Sequence, residues 1–228
     1  MAISFLNQTQ TANNYILFTG VSTVYQGAGG FSFWFYPTVV SGSKAILSLY
    51  NSSDGSTIKF SLDSSTSKLV VSTYFSFGSY SMSSLSNYNL NSWNHVFLIQ
   101  PGSSTLQVFL NDDAGSVDTE IYVPSGIDRI LLGAAYDYNN SSIVPEFEGR
   151  IAEIHAFFGR SSTPTVNPLK QALYKGINYP LVKSYGSNAY ALTYIPCLRE
   201  AKNLRGSTST VVSTGTNISA APHVRRYG

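Results

Sequence analysis

A chain of 228 residues with 43% hydrophobic and 14% aromatic residues can bury a sizeable core, which excludes disorder as a description of the whole. Charged residues make up only 11%, against a usual share of about 25%, so Ser, Thr, Asn, Tyr and Gly must wet the surface. A net charge of +2 gives no footprint for nucleic acid or an anionic membrane, and the one cysteine, Cys197, excludes an internal disulfide, a zinc knuckle and a CxxC site.

The start, Met1-Ala-Ile-Ser-Phe-Leu, has no basic n-region and no apolar stretch of signal-peptide length. No run approaches the roughly 18 apolar residues of a membrane span. With a single cysteine the chain folds without oxidative help, which suits synthesis in a cytosol.

Period-two alternation then recurs along the chain. Phe31-Ser-Phe-Trp-Phe-Tyr36 is a dense aromatic run stopped by Pro37. Ala45–Tyr50, Thr57–Leu62 and Lys68–Tyr74 follow, the last two separated by the polar turn Asp63-Ser-Ser-Thr-Ser. Trp93–Ile99 ends at Pro101-Gly102, and Thr105–Leu110 runs into the tight-turn signal Asn111-Asp112. Glu120–Val123, Asp128–Leu132 and Gly149–Phe157 complete the early set. Short β-branched and aromatic runs with turn residues every 8 to 12 residues or so predict a sandwich or barrel. Asn167-Pro-Leu-Lys-Gln-Ala-Leu-Tyr-Lys-Gly176 breaks the pattern. Its cap residue, its proline at the first helical position and its closing glycine predict a short helix near 167–175. Asn188–Ile195 again reads as a strand, and 206–221 reads as a last edge strand or a tail.

Side-chain alternation places Phe31, Phe33 and Phe35 on one face, with Ser32, Trp34 and Tyr36 on the other. Both faces are aromatic, so this strand is predicted to be central. On the late strand the same rule predicts a core face of Ala152, Ile154, Ala156 and Phe158, with Ile151, Glu153 and His155 turned away.

The order of these pieces resembles the concanavalin A-like jelly rolls, in particular the laminin-G-like and pentraxin-like branch. Phe31-Ser-Phe-Trp-Phe-Tyr-Pro-Thr38 is similar to the family's "FTISAWVKPT" strand, and Trp93-Asn-His-Val96 to "WHHVA". Leu106-Gln-Val-Phe-Leu-Asn-Asp112 resembles "LYVDG". Leu131-Leu-Gly-Ala134 with Phe147-Glu-Gly-Arg-Ile-Ala-Glu-Ile-His-Ala-Phe157 resembles "LLIGA…FNGRIDEVRIY". The likeness spans roughly 14–160 and implies an all-β, two-sheet antiparallel jelly-roll sandwich. Ala189–Leu198 resembles the "LVAYWPLDG" strand that most relatives place before the jelly roll. Its position here implies a permuted arrangement in which the last segment returns beside the first. The expected organisation is one jelly-roll domain over 1–205, with a family-like core at 14–160 and the helix and returning strand at 161–205. A Ser/Thr-rich strand or tail at 206–228 follows.

The resemblance includes glucanases, so carboxylate pairs need testing. Glycoside hydrolysis generally uses two carboxyl groups about 5 to 5.5 Å apart for retention and more for inversion. The glucanases' ExDxE or ExDxxE strand is absent here, and Glu146 with Glu148 is the nearest pair. At a loop-to-strand junction after Pro145, they read as charges on a solvated strand end. His95 reads as a hydrogen-bonded structural histidine, His155 with Glu153 as a surface contact, and His223 as part of the tail. No GxSxG elbow appears. The expectation is a protein without catalytic residues.

Calcium is the one ion the resemblance raises, since relatives bind it on rim loops through Asp, Asn and backbone oxygens. Asn111-Asp112-Asp113 is better explained as a hairpin turn, and no cofactor is assigned. The stretch Tyr136, Asp137, Tyr138, Asn139, Asn140 is the candidate ligand site: rings stack on apolar sugar faces, and amides hydrogen-bond hydroxyls. Tyr74-Phe-Ser-Phe-Gly-Ser-Tyr80 reads as core or subunit contact, with a ligand groove on the concave face as the alternative.

Two functions follow as expectations. The first is a non-catalytic phage virion structural protein, a capsid decoration or tail-fibre appendage made in the host cytoplasm and localised to the virion. A Pro222-His-Val-Arg-Arg-Tyr-Gly228 tail resembling those of phage and prophage jelly rolls motivates it. The alternative is a carbohydrate-binding, lectin-like module. Expected partners are other virion proteins, host-surface glycans and further copies of the chain, with neither nucleic acid nor membrane.

Overall fold

The computed structural model describes residues 2–5, 14–20, 28–102 and 104–160, with the strand backbone at 191–195, 210–214 and 218–221. The described residues form strands and no helix, so the helix expected near 167–175 lies outside them. One sheet has the spatial order β10 (Ser116–Asp118), β9 (Thr105–Leu110), β8 (Asn94–Gly102), β3 (Ala28–Val39), β14 (Glu148–Arg160), β1 (Ala2–Phe5), β17 (Ile218–Ala221). Strand β15 (Ala191–Ile195) pairs with the far half of β14. The other sheet runs β16 (Thr210–Thr214), β2 (Tyr15–Thr19), β11 (Arg129–Leu132), β4 (Ser43–Tyr50), β5 (Thr57–Asp63), β6 (Lys68–Phe75), β7 (Gly78–Asn87). Every recorded pairing is antiparallel, and the two sheets make the expected sandwich. The strand expected to return beside the first, β15, pairs with β14 instead; the stretch read as an edge strand or tail makes the return, with β17 beside β1 and β16 beside β2.

The core follows the predicted stripe. Phe31, Phe33 and Phe35 are fully buried and face Phe60 of the opposite sheet. Ring centroids lie 5.6 Å apart for Phe31–Phe60 and 5.3 Å for Phe33–Phe60, the latter edge-to-face, an arrangement aromatic quadrupoles favour. Ile46, Leu47, Leu49, Ile58, Leu62, Val71 and Ile130 fill the rest of that layer. On the other side of β3, Ser32 Oγ and His95 Nε2 are 2.8 Å apart, and the Trp34 ring lies 4.9 Å from the His95 ring. His95 is therefore the buried structural histidine its strand context predicted.

Several expectations are corrected. β3 does not stop at Pro37; it continues to Val39, with an irregularity in its pairing to β14 at Glu148/Gly149 that accommodates the imide. Glu120–Val123 is not a strand. Ile121 and Val123 drop into the core from an irregular connection between β10 and β11. The faces of β14 are also reassigned. Its register against β3 slips between Ala152 and His155, and Glu153 has a φ of 49°, so one extra residue is inserted as a bulge. The insertion flips the phase of alternation. Ile151 pairs with Phe35 and Ala156 with Phe31 on the core face, joined by Ile154, whereas Ala152 pairs with Trp34 and His155 with Ser32 on the outer face. Glu153 and His155 are both buried, so they form no solvated surface contact, and His155 Nδ1 lies 3.2 Å from the Glu153 carbonyl oxygen.

Gly149, in the Phe-Glu-Gly-Arg-Ile landmark, is required by close approach. A Cβ there would overlap the Tyr36 carbonyl oxygen and lie 2.6 Å from Phe147 Cζ. Neither neighbour can yield, since one is backbone and the other a fully buried ring. Gly149→Ala is expected to destabilise by about 1–3 kcal/mol, the usual cost of overpacking. Urea unfolding would measure it; an unchanged midpoint would contradict this close approach.

Candidate functional site

The candidate stretch proves to be the tip of a third element. β12 (Ala134–Asp137) and β13 (Ser142–Pro145) form a two-stranded hairpin that folds over the outer face of the β4-containing sheet. Gly133, with a φ of 79°, makes the turn from β11, its N–H bonding the Ile46 carbonyl at 2.8 Å. Beneath the hairpin Tyr50, Leu131 and Ala134 make a small second cluster, with Tyr15, Leu17, Tyr136 and Ile143 packed against it.

Tyr136 anchors this arrangement. Its ring is parallel to that of Tyr50, with centroids 4.3 Å apart and planes 5° from parallel, and its N–H donates to Ser48 Oγ at 3.1 Å. Burial pushes the Tyr50 hydroxyl above its ordinary range, with the nearby Arg129 charge opposing. Arg129 in turn bonds Asp128 Oδ2 at 2.6 Å, and both Asp128 oxygens accept from Ser52 at 2.8 Å. The β4–β5 turn closes in from the other side: a Cβ on Gly55, whose φ is 75°, would stand 3.2 Å from Tyr136 Cε1 and 3.5 Å from Tyr138 Cδ2.

Asp137 organises the tip. It accepts from Asn139 N–H at 3.0 Å, from Asn140 N–H at 3.4 Å and from Asn140 Nδ2 at 2.6 Å. The Asn140 side chain is the leading reason its carboxyl sits below the ordinary aspartate range; the two backbone N–H groups and Lys59 add to this against a desolvation that opposes it.

The five sequence candidates thus separate by role. Tyr136 holds the hairpin down, while Asp137 and Asn140 shape the turn. Tyr138 is half-exposed with no ring partner among the described residues, and Asn139 is exposed with its side-chain amide unengaged there. Lys59, not proposed from sequence, lies on the adjoining face with Tyr74 of the aromatic cluster. Lys59 Nζ stands 5.1 Å from the centroid of the Tyr74 ring. The register places Ser48, Lys59, Ser72 and Ser81 in one row across β4 to β7, and Tyr50, Thr57, Tyr74 and Ser79 in the next. Their shared face was hidden in sequence because it depends on pairing across four strands. The sequence signal was a polar or aromatic residue at every second place in β5 and, Val70 apart, in β6.

The other candidates are committed elsewhere. Glu146 Oε2 accepts the Ala45 N–H at 2.7 Å, which removes it from a free carboxylate pair with Glu148. Asp113 Oδ1 accepts from the N–H groups of Leu110 and Gly115, and its Oδ2 from Ser86 N–H at 3.0 Å. Asn111 Oδ1 accepts His95 N–H at 2.9 Å. Asn111 and Asp112 adopt φ values of 54° and 66°, as a tight turn after β9 requires. Among the described residues no three His, Cys, Asp or Glu side chains gather as a cation site.

Two outcomes test this division of roles. Tyr136→Ala should lower the melting temperature, losing the roughly 0.5–1.5 kcal/mol of ring stacking as well as buried area, whereas Tyr138→Ala should leave it nearly unchanged. Equal losses in a calorimetric scan would contradict the assignment. Since the Asp137 carboxyl is held low in the folded protein, its contribution is complete above the ordinary aspartate value and fades as pH falls through the lowered one. Titration of the Asp137 carboxyl carbon by NMR should therefore have its midpoint below that of an unperturbed aspartate, with the Asn140 side-chain amide moving in step.

Comparison with known proteins adds the following. A laminin G-type family model, described as the concanavalin A-like lectin/glucanases superfamily, matches residues 10–165. No curated protein matches the chain in sequence. Among solved structures, a "putative carbohydrate binding protein" from Bacteroides ovatus is similar with a TM-score of 0.59 and 15% identity, over 93% of this chain and 59% of that one. A heptameric SAP-like pentraxin from Limulus polyphemus aligns with a TM-score of 0.54 and 13% identity, over 68% of this chain and 74% of that one. Domains LG4-5 of the mouse laminin alpha1 chain align with a TM-score of 0.53 and 13% identity, over 68% and 41%. The chain thus spans less than two thirds of the Bacteroides and laminin structures, and identities at this level show a shared fold.

Proposed function

Because the chain belongs to the concanavalin A-like lectin/glucanases superfamily, and its β12–β13 hairpin presents an unstacked tyrosine beside an unengaged amide, we propose that it is a non-catalytic carbohydrate-binding protein. The observation that carries this reading is the clamping of the hairpin. With Tyr136 fixed on Tyr50, Tyr138 and Asn139 project from a rigid tip, so little ordering entropy opposes a ligand. The Tyr138 ring offers an apolar face to a pyranose. The Asn139 amide offers a donor and an acceptor to vicinal hydroxyls. The adjoining sheet contributes Lys59, Tyr74 and serine hydroxyls, a low-charge floor suited to a neutral polyol. The lectin-like fold of the family and the printed description of the Bacteroides ovatus relative support the same class of ligand. The engagement of Glu146 by a backbone amide supports binding without hydrolysis.

The virion reading, with assembly on a particle and release with it, rests on sequence features alone. Mass spectrometry of purified phage particles would test it directly.

A glycan array probed with the intact chain is expected to give hits that Tyr138→Ala weakens roughly two- to tenfold, the value of one aromatic stacking contact. Tyr138→Phe should retain most of the affinity, and Asn139→Ala should alter selectivity among hydroxyl configurations. A flat array, or hits indifferent to Tyr138, would sink the reading.

A further inference from the structure

We propose that β7 is a self-pairing edge, through which two copies of this chain join their seven-stranded sheets into one. Among the described residues β7 is the last strand of its sheet, bonded on one side only, to β6. The two-residue turn Ser76-Phe77 links the closing pair Phe75–Gly78, so alternate residues of β7 bond back to β6. Those between them, Ser79, Ser81 and Ser83, direct their N–H and C=O outward, where no partner is recorded among the described residues. The edge is open only in part. Past Ser83 its register becomes irregular, Ser84 Oγ accepts the Leu69 N–H, Lys68 Nζ bonds the Leu85 carbonyl, and Asp113 accepts the Ser86 N–H. The far end is therefore capped and the near end is left free.

Edge strands normally discourage pairing with lysine, proline or inward charge. Here the sequence holds no Asp, Glu, Lys or Arg from Leu69 to Asn111. Large apolar side chains instead crowd this border of the sandwich. Phe77 is 70% exposed, Leu85 and Val117 54%, and Tyr80 and Tyr122 42%. The Phe77 ring lies 5.1 Å from that of Tyr122. Phe77, Tyr80 and Tyr122 join through Phe75 into one aromatic patch, and an exposed apolar patch of this kind marks a contact surface.

A second copy satisfies these features together. A twofold axis at Ser81, perpendicular to the sheet, sets Ser81 against Ser81 and Ser79 against Ser83, so all three outward-facing positions bond in a consistent antiparallel ladder. The same register brings Phe77, in the turn of one copy, level with Leu85 of the other, covering the two most exposed large apolar side chains of the β6–β7 hairpin. The meeting positions are small uncharged serines, so the copies encounter neither bulk nor repulsion. Because the axis is perpendicular to the sheet, both hairpins with Tyr138 face the same way, which would make a multivalent surface engage two sites at once. The pairing itself does not depend on the carbohydrate reading.

The test is the molar mass of the intact chain by light scattering after size exclusion at micromolar concentration, with melting temperature as the check on folding. The wild type is expected at twice the chain mass. Ser81→Pro, which deletes an outward N–H that β6 does not use, is expected to give a monomer with a similar melting temperature. The double variant Ser79→Lys/Ser83→Lys should also be monomeric, while Ser79→Lys/Ser83→Asp should pair again, since each lysine then meets the partner's aspartate. A monomeric wild type would overturn the proposal. So would a dimer that survives Ser81→Pro, or two charge variants that behave alike.

Discussion

Phe33 holds the two sheets together, and the rest of the molecule is arranged around that contact. Its ring meets Phe60 edge-to-face at 5.3 Å and touches Phe31 and Phe35 along its own strand at 5.7 and 6.1 Å. Four phenyl rings at the centre set the spacing of the layers, about 10 Å in such sandwiches. Large aromatic rings cannot be squeezed closer, so flanking residues that sit deeper must be smaller: Ile, Leu and Val. The same constraint makes β3 central. A strand whose inner face is all phenylalanine and whose outer face carries Trp34 and Tyr36 is protected only with neighbours on both sides, and β8 and β14 supply them.

Irregularities in the ladders let this rigid centre meet a less regular periphery. The bulge at Glu153 shifts β14 by one residue, which keeps Ile151, Ile154 and Ala156 in the core and turns His155 to the buried outer face beside Ser32. The slip at Ala45/Leu47 does the same in β4, placing Ile46 and Leu47 both in the core. Each slip is a local departure from alternation that pays for continuity elsewhere.

The proposed binding chemistry sits where the regular sheet ends. The hairpin after β11 lies on the polar outer face and is held there by one tyrosine pair and one serine hydroxyl. The division between a tyrosine that fixes and one that presents follows from their partners: Tyr136, on β12, stacks on Tyr50, whereas Tyr138 lies in the turn beyond the strand. A low-charge, hydroxyl-rich surface serves both neutral ligands and uncharged edges, so the composition of the chain suits glycan contact and self-association together.

The sequence by itself determined the class of fold, the phenylalanine stripe of β3, the structural role of His95, the turn at Asn111-Asp112 and the place of the candidate loop. All of these depend on neighbours within a few residues, where alternation and turn chemistry are legible. β7 escaped notice because its serines have weak strand propensity and, among the described residues, it pairs with β6 alone. The faces of β14 were misassigned because a bulge leaves no mark in composition. Roles within Tyr136–Asn140 could not be separated either, since the difference rests on Tyr50 and Ser48, far away in the chain. Tertiary structure alone decided these points, because each depends on which strands become neighbours, and that choice is made by burial of the whole core.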